Sequence, residues 1–455
     1  MSRTYRINKG ADIRMSGRPS DIVTEAPAAQ VYAVKPPDFT GLLPKLNVRE
    51  GDAVKAGTSI FYDKKMPLVQ YASPVSGVVK EIVRGAKRRI LAVVIEADNK
   101  NSNVDFGVLE VEKSDRETLI SRILEGGMFP FFKQRPFDVV ANPEDKPRSI
   151  HVSGFDSSPL AANTSIALEN RLSSFQTGIK VLAAISGEGG VHLGIKAGET
   201  YLKGVTHCSV SEFDGPHPSG NVGVQINHIA PINKGEVVWT IGLQDVANLG
   251  SLFLTGNYTP SRVVACGGSE CKKPQHVKTI IGASVKSIVE IPSNSQNGED
   301  VRIISGSPLT GDKITQDGFL GAYHSAIALL PEGNQPKFLL TEGWLGLGLK
   351  RFSLSHSFLT WLMPKSKEWI LDTNMGGEER AFVVTGQYEK VFPMDIYPVH
   401  LVKSIIVNDI DSMEKLGIYE VAPEDFALCE YGCTSKIGVQ QIVREGLDNL
   451  RNELG

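Results

Sequence analysis

At 455 residues the chain is long enough for two to four domains with substantial apolar cores. Its 48 lysines and arginines against 51 aspartates and glutamates give a formal net charge of −3, and that near balance argues against a nucleic-acid binder, a class marked by basic excess. No apolar run reaches the roughly 20 residues that span a bilayer, and the start of the chain lacks the apolar core of a signal peptide, so the expectation is a soluble or peripheral cytoplasmic protein.

Residues 42–83 carry a regular pattern of Gly, Val and Pro, with Val48, Gly51-Asp52, Val54, Gly57 and Ile60 followed by Ser73-Pro74, Gly77-Val78-Val79 and Ile82. Short strands broken by Gly-Asp and Pro turns predict a small antiparallel barrel or sandwich. The spacing resembles the barrel-sandwich hybrid of lipoyl and biotinyl domains, in which a lysine at a hairpin tip carries the cofactor. Lys64 and Lys65 lie near that place, and the alternative is an unmodified solvated turn. Ser114 and Glu117 read as a capping box for a helix whose buried face is Leu119, Ile120, Ile123 and Leu124, with Gly126 ending it.

Residues 126–138 follow, reading Gly-Gly-Met-Phe-Pro-Phe-Phe-Lys-Gln-Arg-Pro-Phe-Asp. Phe129, Phe131 and Phe132 beside Lys133 and Arg135 can accept a flat, polar-edged ligand such as a quinone, a flavin or a nucleotide. Alternatively they are a domain hinge with its aromatics packed inward.

From 148 to about 257 the pattern alternates. Strands are expected at 149–152, 179–185, 205–210 and 236–241, and helices at 165–172 and 243–254, which predicts an α/β layer with parallel strands. Gly187-Glu188-Gly189-Gly190 after a strand can present backbone N–H groups to a phosphate. The turn-rich loop at 214–223 holds His217, and His207, His217 and His228 recur about ten residues apart, which a metal site would have to bring together. Residues 260–312 return to short strands, at 262–265, 279–281 and 301–304, with a turn at 306–311. Apolar segments at 368–371, 381–385 and 401–407 precede a closing helix over 439–454. The five cysteines, Cys208, Cys266, Cys271, Cys429 and Cys433, read as reduced thiols. Only two of them, Cys429 and Cys433, stand together, and a four-iron cluster needs four, so the alternatives are packed or capping residues and a metal shared with a partner chain.

Taken in order, Gly126-Gly-Met-Phe-Pro with Arg135-Pro-Phe, Gly215-Pro-His-Pro-Ser-Gly220, the stretches 242–256 and 386–398, and Ala427-Leu-Cys-Glu-Tyr-Gly-Cys433 resemble the A subunit of the sodium-translocating NADH:quinone reductase family, over nearly the whole length. That family is related in fold to the flavin subunit of complex I and the C subunit of the Rnf complex. The resemblance implies an α+β and α/β multidomain fold. Its parts would be a barrel-sandwich hybrid over 1–100, a Rossmann-like α/β domain over 101–258, a β-grasp soluble-ligand-binding module over 259–315 and a mixed C-terminal part over 316–455, ending in a helix. It also implies a peripheral protein at the cytoplasmic face of the bacterial inner membrane. That protein would dock on the membrane-embedded B subunit of a complex that oxidises NADH, reduces ubiquinone and exports Na⁺. FAD, FMN and iron–sulfur centres would belong to partner subunits. The flavin-binding relatives have a glycine loop where this chain has Met128 and Phe129, so no bound cofactor is expected here. Quinone contacts are expected from Phe129, Phe131, Phe132, Lys133, Arg135 and His217. The rings would stack the quinone, and the cations would polarise a carbonyl or hold the negative charge of a partly reduced ring. The alternatives are a flavin- or iron–sulfur-bearing electron-transfer subunit of the Rnf or complex I kind, and a ligand-free scaffold.

Overall fold

The computed structural model describes residues 3–454 except 296–297, 299, 335–347, 349–350, 355–357, 365 and 384–385. Two small sheets build the first unit. One has the order Val31–Val34, Ile90–Ala97, Gly77–Arg84, Ala53–Val54, and the other Pro44–Leu46, Ser59–Asp63, Gln70–Ala72. Ile60, Phe61, Tyr71, Val79, Val93 and Ile95 are buried together in the core of this unit.

A seven-stranded sheet forms the second layer. Arg3–Arg6, Ser209–Asp214, Val191–Lys196, Ile150–Ser153 and Val238–Thr240 run parallel. Lys133–Arg135 and Val139–Val140 then add an antiparallel edge. The helix Leu172–Ile185 packs against Leu243–Thr255 beside this sheet. A third, six-stranded sheet has the order Asp312–Ile314, Val301–Ser305, Ala326–Pro331, Ser261–Gly267, Gln275–Ile280, Ser20–Glu25. The C-terminal part has its own core, in which Val399, Leu401 and Val402 of the helix Pro398–Ile406 meet Val439, Val443 and Leu447 of the helix Val439–Leu454.

Several expectations need correcting. Residues 179–185 are not a strand but the second half of the helix Leu172–Ile185. Its Phe175, Ile179, Val181, Leu182 and Ile185 are all buried, and a run apolar on several sides has no periodicity to separate helix from strand. The helix expected at 165–172 is reduced to Thr164–Ala167, capped by the Asn163 carboxamide oxygen, which accepts from Ser165 N–H at 3.2 Å. The strand expected at 205–210 begins only at Ser209, and Val191–Lys196 supplies the missing neighbour. Asp115 rather than Ser114 caps the helix Arg116–Glu125, accepting from Thr118 N–H at 2.9 Å, because the helix starts one residue later than the capping-box spacing implies. The apolar segment 401–407 lies in the helix Pro398–Ile406 up to its last residue, Val407, which caps that helix. Of the segment 381–385, residues 384 and 385 lie outside the described residues.

The N-terminal strands were not anticipated. Arg3–Arg6 joins the second sheet and Ser20–Glu25 the third, so the chain visits both before it builds the first unit.

Candidate functional site

The helix Arg116–Glu125 delivers the chain to residues 126–138. Gly127 has φ +67°, and a Cβ there would stand 2.5 Å from Ala72 Cβ, so only glycine allows this turn to lie against the first unit. Phe129–Phe131 forms one 3₁₀ turn, and Lys133–Arg135 then enters the sheet between Val238–Thr240 and Val139–Val140.

This path divides the side chains. Phe129 and Phe132 point into the sheet core. They stack with centroids 5.5 Å apart, and each meets Trp239 edge-on at 5.7 Å. Both are fully buried, so they hold the junction together through ring packing. Arg135, 1% exposed, reaches the C-terminal part. One terminal nitrogen donates to Asp425 Oδ2 at 2.9 Å and to the Glu420 carbonyl at 3.0 Å, and the other to Glu424 Oε1 at 3.1 Å. The carboxylates around it hold this guanidinium charged in spite of its burial.

Phe131 and Lys133 lie on the other side. Phe131 meets Tyr323 edge-on at 6.1 Å, and Lys133 Nζ sits 4.5 Å from the centre of the same ring and 3.7 Å from Asp138 Oδ1. The Tyr323 hydroxyl donates to the Pro130 carbonyl at 2.6 Å.

Phe131 lines a cleft where the first three sheet units meet. Lys35, Asp38, Phe39 and Tyr71 come from the first unit, Tyr258 from the end of the second, and Ala322 from the third. Burial drives the Asp38 carboxyl above the usual range, opposed by the Lys35 ammonium at 3.1 Å and by Ala322 N–H, which donates to Oδ2 at 2.9 Å. Burial also raises the Tyr71 and Tyr258 phenols, so both are neutral O–H groups. The Tyr71 hydroxyl is buried and has no hydrogen-bond partner. An unpaired buried hydroxyl costs stability, and a ligand oxygen would satisfy it. The cleft volume is about 30 Å³, room for solvent and not for a ring. Together these groups present aromatic side chains, one donor hydroxyl without a partner and an ion pair.

Of the residues expected from sequence, the structure thus brings Phe131 to the cleft, with Lys133 over Tyr323, a ring that packs on Phe39 and Phe131 from outside the lining, while Phe129, Phe132 and Arg135 serve packing and pairing. His217 sits elsewhere, in the loop after Ser209–Asp214 at the carboxyl end of the parallel strands. Its Nδ1 is 3.0 Å from Ser157 Oγ, its backbone N–H donates to Asp12 Oδ1 at 3.0 Å, and burial lowers its pKa. Among the described residues no three potential ligands converge as a metal site. The amides of Gly187 and Gly189 donate to the carbonyls of Pro147 and Arg148, at 2.9 Å each, after a helix rather than a strand, so they form no phosphate cradle. Cys429 and Cys433 are 1% and 2% exposed, and the Tyr388 hydroxyl donates to Cys433 Sγ at 3.1 Å. Burial, then the Glu389 carboxylate, pushes the Cys429 thiol well up. A metal shared with another chain needs an exposed ligand, and neither thiol is exposed.

Sequence reasoning missed Lys35, Asp38, Tyr71, Tyr258 and Tyr323. The one local signal was the stiff Lys35-Pro36-Pro37-Asp38, which fixes a 3₁₀ turn with its two charges on one side.

Three family descriptions match the chain in order: "NqrA N-terminal barrel-sandwich hybrid domain" over residues 5–98, "NqrA second alpha/beta domain" over 114–258 and "NQRA C-terminal domain" over 263–316. Among relatives named as the A subunit of a Na(+)-translocating NADH-quinone reductase, that of Marinomonas sp. (strain MWYL1) is 35% identical over 452 residues, covering 99% of this chain and 100% of the relative. That of Rhodopirellula baltica is 36% identical over 456 residues, covering 98% of each. That of Vibrio anguillarum is 36% identical over 452 residues, covering 98% of this chain and 99% of the relative.

Proposed function

The chain belongs to the NqrA family, the A subunits of Na⁺-translocating NADH-quinone reductases, and from that premise we propose that it serves such a complex as a peripheral component at the quinone-reducing end. It docks on the membrane-embedded B subunit at the cytoplasmic face of the bacterial inner membrane and carries no redox centre. NADH is oxidised in a partner subunit, FAD, FMN and iron–sulfur centres lie in partners, and Na⁺ leaves the cytoplasm as ubiquinone becomes ubiquinol. In this reading 1–100 is the barrel-sandwich part, 101–258 the Rossmann-like domain, 259–315 the β-grasp module and 316–455 the C-terminal part.

One observation supports a quinone-handling role beyond docking: the unpartnered Tyr71 hydroxyl inside an aromatic cleft that the 126–138 segment helps to build. In this reading the cleft widens to take the quinone head between Phe39 and Phe131, with Tyr71 donating to one carbonyl and the Lys35–Asp38 pair beside it. Reduction consumes two electrons from partner subunits and two protons. Lys133, behind Tyr323, adds positive potential where charge builds on the ring.

A photoreactive ubiquinone tests this in the purified complex. Cross-links within 31–39, 70–74 or 126–138, together with a raised KM for quinone in Tyr71→Phe, are the expected outcome. Cross-links confined to the B subunit would remove the cleft from the reaction. A stoichiometric flavin absorbance from the purified chain would favour the flavin-carrying alternative.

A further inference from the structure

The strands Gly77–Arg84 and Ile90–Ala97 form the longest hairpin of the first unit, and its tip at 84–89 carries Arg84, Lys87, Arg88 and Arg89. These are four cations in six residues of a chain whose net charge is −3. All four side chains are exposed, and none forms an ion pair with a described residue. The Arg84 guanidinium instead donates to the Arg88 carbonyl at 3.3 Å, bracing the turn. The carboxylates of the same sheet lie back from the tip and have other roles. Glu96 pairs with Lys80 at 3.3 Å, and Glu50 accepts from Ile82 N–H at 2.8 Å. Glu81 lies within the strand itself, three residues before Arg84.

The backbone of this tip does not favour the residues it holds. Gly85 N–H donates to the Arg89 carbonyl at 2.8 Å and Arg89 N–H to the Ala86 carbonyl at 3.2 Å, closing a turn around Lys87 and Arg88. Their φ values are +53° and +59°, in the left-handed region where hairpin turns strongly prefer Asn-Gly. Both side chains are exposed, and neither forms an ion pair with a described residue. Strain kept at an exposed pair of cations points to a use for the cations. One apolar side chain accompanies them: Leu91, 37% exposed, would meet a Cβ at Gly85 at 2.9 Å and so covers the base of the turn.

We propose that the tip at 84–89 rests this chain on an anionic phospholipid surface. Composition decides the partner class: protein interfaces draw on aromatic anchors, whereas this tip carries four cations and no aromatic ring. Separate point charges on a protruding turn match the diffuse negative field of a headgroup layer, and clusters of four or more Lys/Arg are the usual device for it. No helix among the described residues is long and apolar enough to cross a membrane, so adhesion of the chain itself has to come from its surface. The proposal rests on the peripheral membrane placement given above, but vesicle binding can be read without the other subunits.

The full-length chain is mixed with vesicles of phosphatidylcholine containing phosphatidylglycerol, and with vesicles of phosphatidylcholine alone, and sedimented. Binding to the anionic vesicles only, falling steeply with added salt, is expected. The triple variant Lys87→Glu, Arg88→Glu, Arg89→Glu binds at least about tenfold more weakly. Lys64→Glu with Lys65→Glu, at another exposed tip of the same unit, binds as the unaltered chain does. Lys87→Asn with Arg88→Gly suits the turn better, so it melts no lower than the unaltered chain while losing vesicle affinity, which separates charge from misfolding. The proposal is overturned by equal binding to neutral vesicles, by undiminished binding of the charge-reversed chain, or by a tip that engages purified partner subunits and no lipid. None of these outcomes alters whether the chain co-purifies with an NADH-oxidising complex, which tests the function itself.

Discussion

Arg135 shows how far a single residue can be read from sequence. Beside three phenylalanines it looks like a ligand-facing cation, yet its terminal nitrogens are committed to Asp425, Glu424 and the Glu420 carbonyl. The partners lie almost 290 residues further on, and no local pattern announces them. Removing one member of a buried pair strands the other, so Arg135→Ala should lower stability by about 3–5 kcal/mol in chemical denaturation. Arg135→Met with Asp425→Leu should recover a large part of that loss. If both variants are equally unstable, the pair is not what joins these regions. A second residue-scale prediction concerns pH. The rings of His151 and His192 stack 4.6 Å apart, and burial lowers the pKa of both. With native pKa values below the unfolded value of about 6.5, the unfolded chain binds more protons in acid. Stability is therefore full above that value and falls as pH drops below it, by up to about 1.4 kcal/mol per pH unit for the buried His151 and by less for the partly exposed His192. Melting curves from pH 7 to 5 should show this slope, and it should shrink in His192→Gln.

At the scale of elements, the closing helix was legible from its pattern and an apolar run without one was not. The helix Val439–Leu454 carries a clear one-sided pattern and stands where that pattern places it, and Leu243–Thr255 stands where a helix was expected although residues 244–250 are all buried. The helix Leu172–Ile185 buries one face, Phe175, Gly178, Ile179, Leu182 and Ile185, yet its second half is apolar on the open side too, at Ala183 and Ala184, so the run mimicked a strand. It crosses Leu243–Thr255 closely through two glycines. A Cβ at Gly250 would stand 1.8 Å from the Ser174 carbonyl oxygen, and one at Gly178 would stand 2.1 Å from that of Val246. Both contacts are with backbone, which cannot step aside as a side chain can. Gly250→Ala should therefore destabilise by about 1–3 kcal/mol or more, although alanine is the better helix former. A melting temperature equal to or above that of the unaltered chain would show that the helices can separate without cost.

At the scale of the whole molecule, the turn pattern made the first unit legible, but the interlacing of the sheets was hidden. Strand pairing between distant segments leaves no mark in either partner's periodicity. Arg3–Arg6 extends one sheet and Ser20–Glu25 another, so the first 25 residues tie both to the unit that follows. Deleting them should leave hydrogen-exchange protection in Ile90–Ala97 largely intact and reduce it in Ser209–Asp214 and Gln275–Ile280. Uniform loss would mean that the units unfold only together. The same lacing sets a timetable for synthesis. Ser20 waits for Pro274, 254 residues later, which at ribosomal speed is roughly 10–50 s. Through that interval the earliest strands leave the ribosome with unpaired edges, and they are seated only once those later partners are made. A bulky N-terminal tag would meet the molecule at this late closing step, whereas a C-terminal tag would leave it free.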